Sequence, residues 1–289
     1  MTRKSHILII IASVLTSLAV AVLIGQGGAY FRGVPATMVC CIVVFVFQWL
    51  AFLPAFYFQT ERYYDLIGSA SYLCLISLAL LLSGSLDVRD SVIALLVGIW
   101  ALRLGTFLFF RIKKQGRDSR FDNIKSNFWW FLMTWTLQGL WVFITLAMAL
   151  VAITNNSKQE FGLLGLVGIA VWIFGFSFEG GADGQKTVFR RLDGDSRSFI
   201  TTGLWSWSRH PNYFGEITLW AGLTLIALPV LSGWQLVTLI SPVFVYVLLT
   251  RVSGIPMLEN RGMKKWGSDP EYVNYVENTP SLILKKPQR

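Results

Sequence analysis

Phe128-Trp-Trp-Phe-Leu-Met-Thr-Trp-Thr-Leu-Gln138-Gly139-Leu-Trp-Val-Phe-Ile-Thr-Leu-Ala-Met-Ala-Leu-Val-Ala-Ile-Thr154 contains no charged side chain. A helix needs about 20 apolar residues to cross the hydrocarbon core of a bilayer, and this run exceeds that. In lipid every backbone amide must be satisfied within its own segment, so the run predicts a helix.

Seven more runs extend the pattern outward: Ile7–Gly25, Ala36–Phe58, Tyr64–Gly84, Val92–Phe110, Gly162–Phe178, Gly215–Leu231 and Trp234–Val252. The last two are close enough to form a hairpin. Across 289 residues the chain is 54% hydrophobic and only 14% charged, a composition that excludes a soluble globule. The expected class is all-α: a polytopic integral membrane bundle of seven or eight helices. One transmembrane domain is expected over residues 1–289, with variable N-terminal helices at 1–63 and a core at 64–289. The first apolar run is long enough to span, so it reads as a retained helix and not as a cleaved leader.

A net charge of +9 would suit nucleic acid, but the basic residues lie in short loops between apolar runs. With eight spans, 21 of them fall on the side of the two termini and three (Arg32, Arg89 and Lys158) on the other. That asymmetry places both termini in the cytoplasm and removes the nucleic-acid reading. Cys40, Cys41 and Cys74 lie in apolar runs without paired spacing and read as packing residues. Gly162, Gly165 and Gly168 read as close helix packing. No strand–turn–helix surrounds a GxGxxG motif.

The polar chemistry concentrates in residues 179–216. If the sixth helix continues past Phe178, then Glu179, Asp183, Lys186 and Arg190 share one stripe. Downstream stands Gly203-Leu-Trp-Ser-Trp-Ser-Arg209-His210-Pro211-Asn212-Tyr213-Phe-Gly215-Glu216. Pro211 suits the first turn of a helix, which sets Asn212 and Glu216 one turn apart. A carboxylate entering an apolar span is costly, so Glu216 is a functional candidate, with Arg251 as its expected counter-charge. His210 has no second His or Cys nearby, and no metal site is expected.

A second group is Gln59-Thr-Glu61-Arg62-Tyr63-Tyr64-Asp65. Two acids bracketing two phenols could protonate a substrate carbonyl, which makes Glu61, Tyr63, Tyr64 and Asp65 the catalytic candidates. Arg103 sits in mid-span and is expected to pair with Asp65 or Glu61. Gln138 is a further polar group within a span.

Together these residues resemble the steroid 5α-reductase family, in its 3-oxo-5-alpha-steroid 4-dehydrogenase C-terminal domain and bacterial branch. The resemblance covers about Tyr64 to the C-terminus and is strongest from Gly203 to Glu216. Weaker matches are Trp100-Ala-Leu-Arg103-Leu-Gly, Leu137-Gln138-Gly139, Ala182-Asp183-x-Gln185-Lys186 and the stretch from Leu258-Glu259 to Thr279. The resemblance implies NADPH-dependent reduction of a carbon–carbon double bond conjugated to a carbonyl, in a steroid-like or other lipophilic substrate in a bacterial inner membrane. It implies a cofactor site of Arg103, Asp183, Lys186, Arg190, Arg197, Arg209, His210, Asn212, Tyr213, Glu216 and Arg251. The family's catalytic glutamate has no assured counterpart here, so Glu61 and Asp65 compete for it. Isoprenylcysteine carboxyl methyltransferases and phospholipid methyltransferases share an Arg-His-Pro-x-Tyr motif followed by a later Glu, with S-adenosylmethionine in place of NADPH. A structural or transport role would explain the spans but not the gathering of polar residues on one side.

Overall fold

The computed structural model describes residues 2–192 and 198–287. Among these, eight helical segments are long and apolar enough to cross a membrane. The protein is a polytopic helical membrane bundle. Its only strands among the described residues are the two-residue β1 (Tyr30–Phe31) and β2 (Val34–Pro35), an antiparallel pair between the first two spans.

The helices are α1 (Arg3–Ile24), α2 (Ala36–Tyr57), α3 (Tyr64–Leu82), α4 (Val88–Gln115), α5 (Phe128–Thr154), α6 (Leu163–Leu192), α7 (Pro211–Ala227), α8 (Ile240–Val247), α9 (Ile255–Trp266) and α10 (Pro270–Asn278). The chain divides into two compact units: residues 1–162 with 227–241, and residues 163–226 with 242–289. The Gln48 Nε2 donates to Ser71 Oγ at 2.9 Å, tying α2 to α3.

In the first unit α5 is the central helix and packs on α1, α2, α3 and α4. Its charge-free sequence suits that place, since residues Val142–Thr154 are continuously buried. At the other end of α5, Phe131 and Trp135 pack with Phe52, Ala55 and Phe121. The rings meet edge to face, as at Phe52–Phe131 (5.7 Å), which favours the ring quadrupoles. The start of α4 carries a reciprocal cap between Asp87 and Asp90. Two of the three basic residues on the sparse side are used here. Arg89 donates to the carbonyls of Gln159 and Glu160 (both 2.9 Å), and Lys158 Nζ meets Asp90 Oδ2 at 2.7 Å. Buried charges of this kind persist because each is paired.

In the second unit α6 and α7 touch backbone to backbone. A Cβ on Gly175 would lie 2.6 Å from Gly215 O, and one on Gly222 would lie 2.7 Å from Gly168 O. Small residues permit this approach between membrane helices. Gly168 therefore does what the sequence implied, whereas Gly162 precedes α6 with nothing within 4 Å of a Cβ. The sixth helix does run past Phe178, two further turns beyond Asp183, and α7 starts at Pro211, ahead of the expected Gly215. The eighth span is interrupted: α8 passes into a π-helical turn, Leu248–Val252, before α9.

Candidate functional site

In the second unit, the segment joining α6 to α7 is fixed by side chains from both directions. Gly203 has φ +62°, where a Cβ would also strike Gln185 Oε1 at 2.6 Å, so glycine is required. That same oxygen accepts the Leu204 N–H at 2.9 Å. Trp205 Nε1 donates to Ala182 O at 3.1 Å, and the Lys186 ammonium sits 4.4 Å over the Trp205 ring. Tyr275 donates its hydroxyl to Trp205 O at 2.7 Å, and burial pushes that phenol above its ordinary value.

Arg209 is the hub of this assembly. Its Nε and Nη2 donate to Glu259 Oε1 (3.1 and 2.7 Å), and its Nη1 donates to the carbonyls of Val276 and Thr279. Four of five N–H groups are thereby engaged within the protein. The Arg209 backbone N–H adds a bond to Pro280 O, and Ser208 Oγ reaches the carbonyls of Ser281 and Leu282. These bonds let Arg209 clasp the α6–α7 segment to the C-terminal chain.

His210 follows directly. It is buried and stacks on Tyr213 at 5.6 Å with an interplanar angle of 11°. Its Nε2 lies 3.4 Å from Glu259 Oε1 and has no hydrogen-bond partner among the described residues. Burial lowers the His210 imidazole below its usual value, although Glu259 opposes the shift, so the ring is neutral at pH 7. Glu259 also accepts from Ser281 Oγ at 2.9 Å, again through Oε1.

Where α6 and α7 touch, the polar stripe expected on α6 meets the start of α7. Asn212 Nδ2 approaches Asp183 Oδ1 at 3.4 Å. Glu179 and Glu216 are 2% and 9% exposed, and Asp183 is 8% exposed. Three carboxylates and an amide are thus enclosed at one end of two spans, with Lys186 and the exposed Arg190 one and two turns farther along α6. Arg251 is exposed and forms no ion pair among the described residues, so the expected Glu216–Arg251 pair is absent. Arg197 lies outside the described residues.

The first unit holds the other expected group. Glu61 is buried, accepting from Lys125 Nζ (2.7 Å) and from the Asp118 N–H (3.0 Å). Burial alone would raise its carboxyl, but these donors hold it below the ordinary value. Glu61 thereby ties its segment to residues 116–127, in surroundings that favour the ionised carboxylate. Asp65 lies between Arg111 (3.6 Å) and Arg120 (3.7 Å). Tyr64 donates its hydroxyl to Thr134 O at 3.0 Å. Tyr63 is exposed and stacks on Phe109 at 6.3 Å. Arg103 is half-buried on α4.

Glu259, Ser281, Trp205 and Tyr275 had no assigned role from sequence. Glu259 offered one signal, a lone acid between apolar Leu258 and the basic run ending at Lys265, but its partner Arg209 lies 50 residues away.

A polytopic membrane protein with a buried acid–amide junction at one end of two spans is the class this structure defines. The chain belongs to the family described as Protein of unknown function (DUF1295), which it matches over residues 51–279. It is similar to an uncharacterized protein of Schizosaccharomyces pombe (strain 972 / ATCC 24843), 24% identical over 196 residues. That match covers 57% of this chain and 57% of the relative's length. No solved structure matches the chain.

Proposed function

We propose that this membrane protein is an NADPH-dependent reductase of a carbon–carbon double bond conjugated to a carbonyl in a steroid-like or other lipophilic substrate, related to the steroid 5α-reductases. The observation that carries this reading is the Asp183–Asn212 pair at the α6–α7 contact, with Lys186 and Arg190 along the same stripe. Carboxylate and amide groups suit ribose hydroxyls, and the cations suit phosphates. The residues therefore fit the cofactor. Asp183, Asn212 and Glu216 would hold its nucleoside part, and Lys186 and Arg190 its phosphates.

When bound, NADPH supplies the hydride that reaches the β-carbon. The chain's own task is to polarise the carbonyl oxygen and return a proton. With Glu61 held ionised and Tyr64 committed to a backbone carbonyl, Asp65 with Tyr63 is one candidate and Tyr213 the other. Loss of turnover in Asp65→Asn but not Tyr213→Phe, at unchanged NADPH affinity, assigns the former. The reverse pattern assigns Tyr213. The substrate enters from the bilayer, and both termini face the cytoplasm, as the basic residues imply. Reporter fusions placing the two termini on opposite sides would remove that orientation.

The enclosed carboxylates Glu179, Asp183 and Glu216 favour a second reading, because acids also suit the cationic sulfonium of S-adenosylmethionine. Calorimetry with both nucleotides decides. Binding of NADPH without S-adenosylmethionine supports the reductase, and the opposite result replaces it with a methyltransferase.

A further inference from the structure

A cavity of about 470 Å³ lies in the first unit, between the α2–α3 turn (58–63) and residues 116, 117 and 125 of the segment after α4. Glu61 sets its walls. Its carboxylate accepts the Asp118 N–H at 3.0 Å and Lys125 Nζ at 2.7 Å, which pins the two segments together. Arg62 follows Glu61 and Arg117 precedes Asp118, so both guanidinium stems leave the pinned pair and line the same cavity. The turn itself is fixed, with Gln59 at φ +50° and its Nε2 donating to Phe56 O at 2.7 Å.

Three cations and one carboxylate line this space. Lys125 is committed to Glu61. Arg62 forms no ion pair among the described residues, and Arg117 meets only the exposed Asp122 there, at 3.9 Å. An exposed pair at that distance contributes little, so both guanidiniums can turn to a guest. Such a guest is anionic, and two planar guanidinium forks suit the oxygens of a phosphate.

The surroundings decide what carries the phosphate. The ends of α2 and α4 and the start of α3 meet here, at one end of three spans. Phe58 and Tyr63 line the cavity yet are exposed, and the exposed Tyr57 packs edge-on against Phe58 at 4.9 Å. Exposed aromatic rings at the end of membrane helices mark the headgroup level of a bilayer. A soluble anion would use the guanidiniums alone, whereas a lipid would use the aromatic rim as well. We propose that this cavity binds the phosphate headgroup of an anionic membrane lipid, with the lipid's apolar part against Phe58 and Tyr63. Basic pockets at the ends of membrane helices recognise such headgroups. This is independent of the redox reading, which places its cofactor residues in the second unit.

The test is native mass spectrometry of the full chain in detergent, offered equimolar phosphatidylglycerol and phosphatidylcholine with the same acyl chains. The expected result is a preference of about tenfold for phosphatidylglycerol, weakening as salt rises. Arg62→Gln combined with Arg117→Gln should reduce that preference several-fold. Arg62→Gln alone should reduce it in part, and keeps the test usable if the double variant fails to fold. Arg261→Gln with Lys264→Gln removes the same charge from exposed positions of α9 and should leave the preference intact. Equal retention of the two lipids, or a preference that survives the Arg62 and Arg117 substitutions, would overturn the proposal. Binding of inorganic phosphate that depends on Arg62 and Arg117, without any lipid preference, would overturn the lipid and assign the cavity to a soluble anion.

Discussion

The two polar regions draw on the same residue types and use them differently. In the first unit Glu61 and Asp65 meet Lys125, Arg111 and Arg120, and the charges hold a loop to the end of a helix. In the second, one guanidinium clasps the chain while three carboxylates lie enclosed at the α6–α7 contact. Pairing acids with flexible cations near water closes a structure. Enclosing acids where two backbones touch gathers polar groups at the mouth of a span.

The largest expected effect breaks the clasp. Arg209→Ala removes four donated bonds and leaves Glu259 without its cation, so it should cost the second unit about 3 kcal/mol. Thermal unfolding in detergent measures this. Arg209→Lys should recover only part of the loss, because an ammonium cannot reproduce the planar fork.

Next in size is the junction itself. Asp183→Asn, Asn212→Ala and Glu216→Gln should each weaken NADPH binding about tenfold, or about 1.4 kcal/mol, while unfolding temperature changes less than in Arg209→Ala. Equal losses of stability and affinity would make the junction structural.

A smaller effect depends on pH. The folded-state value of His210 is depressed, so its neutral form contributes stability that is present above the ordinary histidine value of about 6.5 and lost as pH falls through the lowered one. Unfolding temperature between pH 7.5 and 5 should decline, and His210→Gln should flatten the decline. Glu61 differs in its window. Its lowered value stabilises the fold above about pH 4.3, with loss only as pH falls further. Glu61→Gln at pH 7 should cost about 1 kcal/mol, with enone turnover retained. Lost turnover in a folded variant would return Glu61 to the catalytic role.

Much of this was legible in the residues. Apolar runs define the spans because membrane backbone must be satisfied internally, and the Glu179–Arg190 stripe follows from helical period alone. Helical period likewise set Asn212 and Glu216 one turn apart on α7. Partners were not legible where they lie far away in sequence or where a backbone group serves. Arg209 could not reveal that Glu259 and two C-terminal carbonyls would occupy it, nor Tyr64 that Thr134 O would take its hydroxyl. Two acids bracketing two phenols drew attention to Glu61, but not to Lys125, 64 residues on, which donates to it.

The central claim is that the α6–α7 junction holds NADPH, and isothermal calorimetry on the purified full chain tests it most directly. The account predicts binding of NADPH over NADH, lost in Asp183→Asn with the fold intact, and no binding of S-adenosylmethionine. Binding of the methyl donor alone, or NADPH binding indifferent to Asp183→Asn, Asn212→Ala and Glu216→Gln, would contradict it.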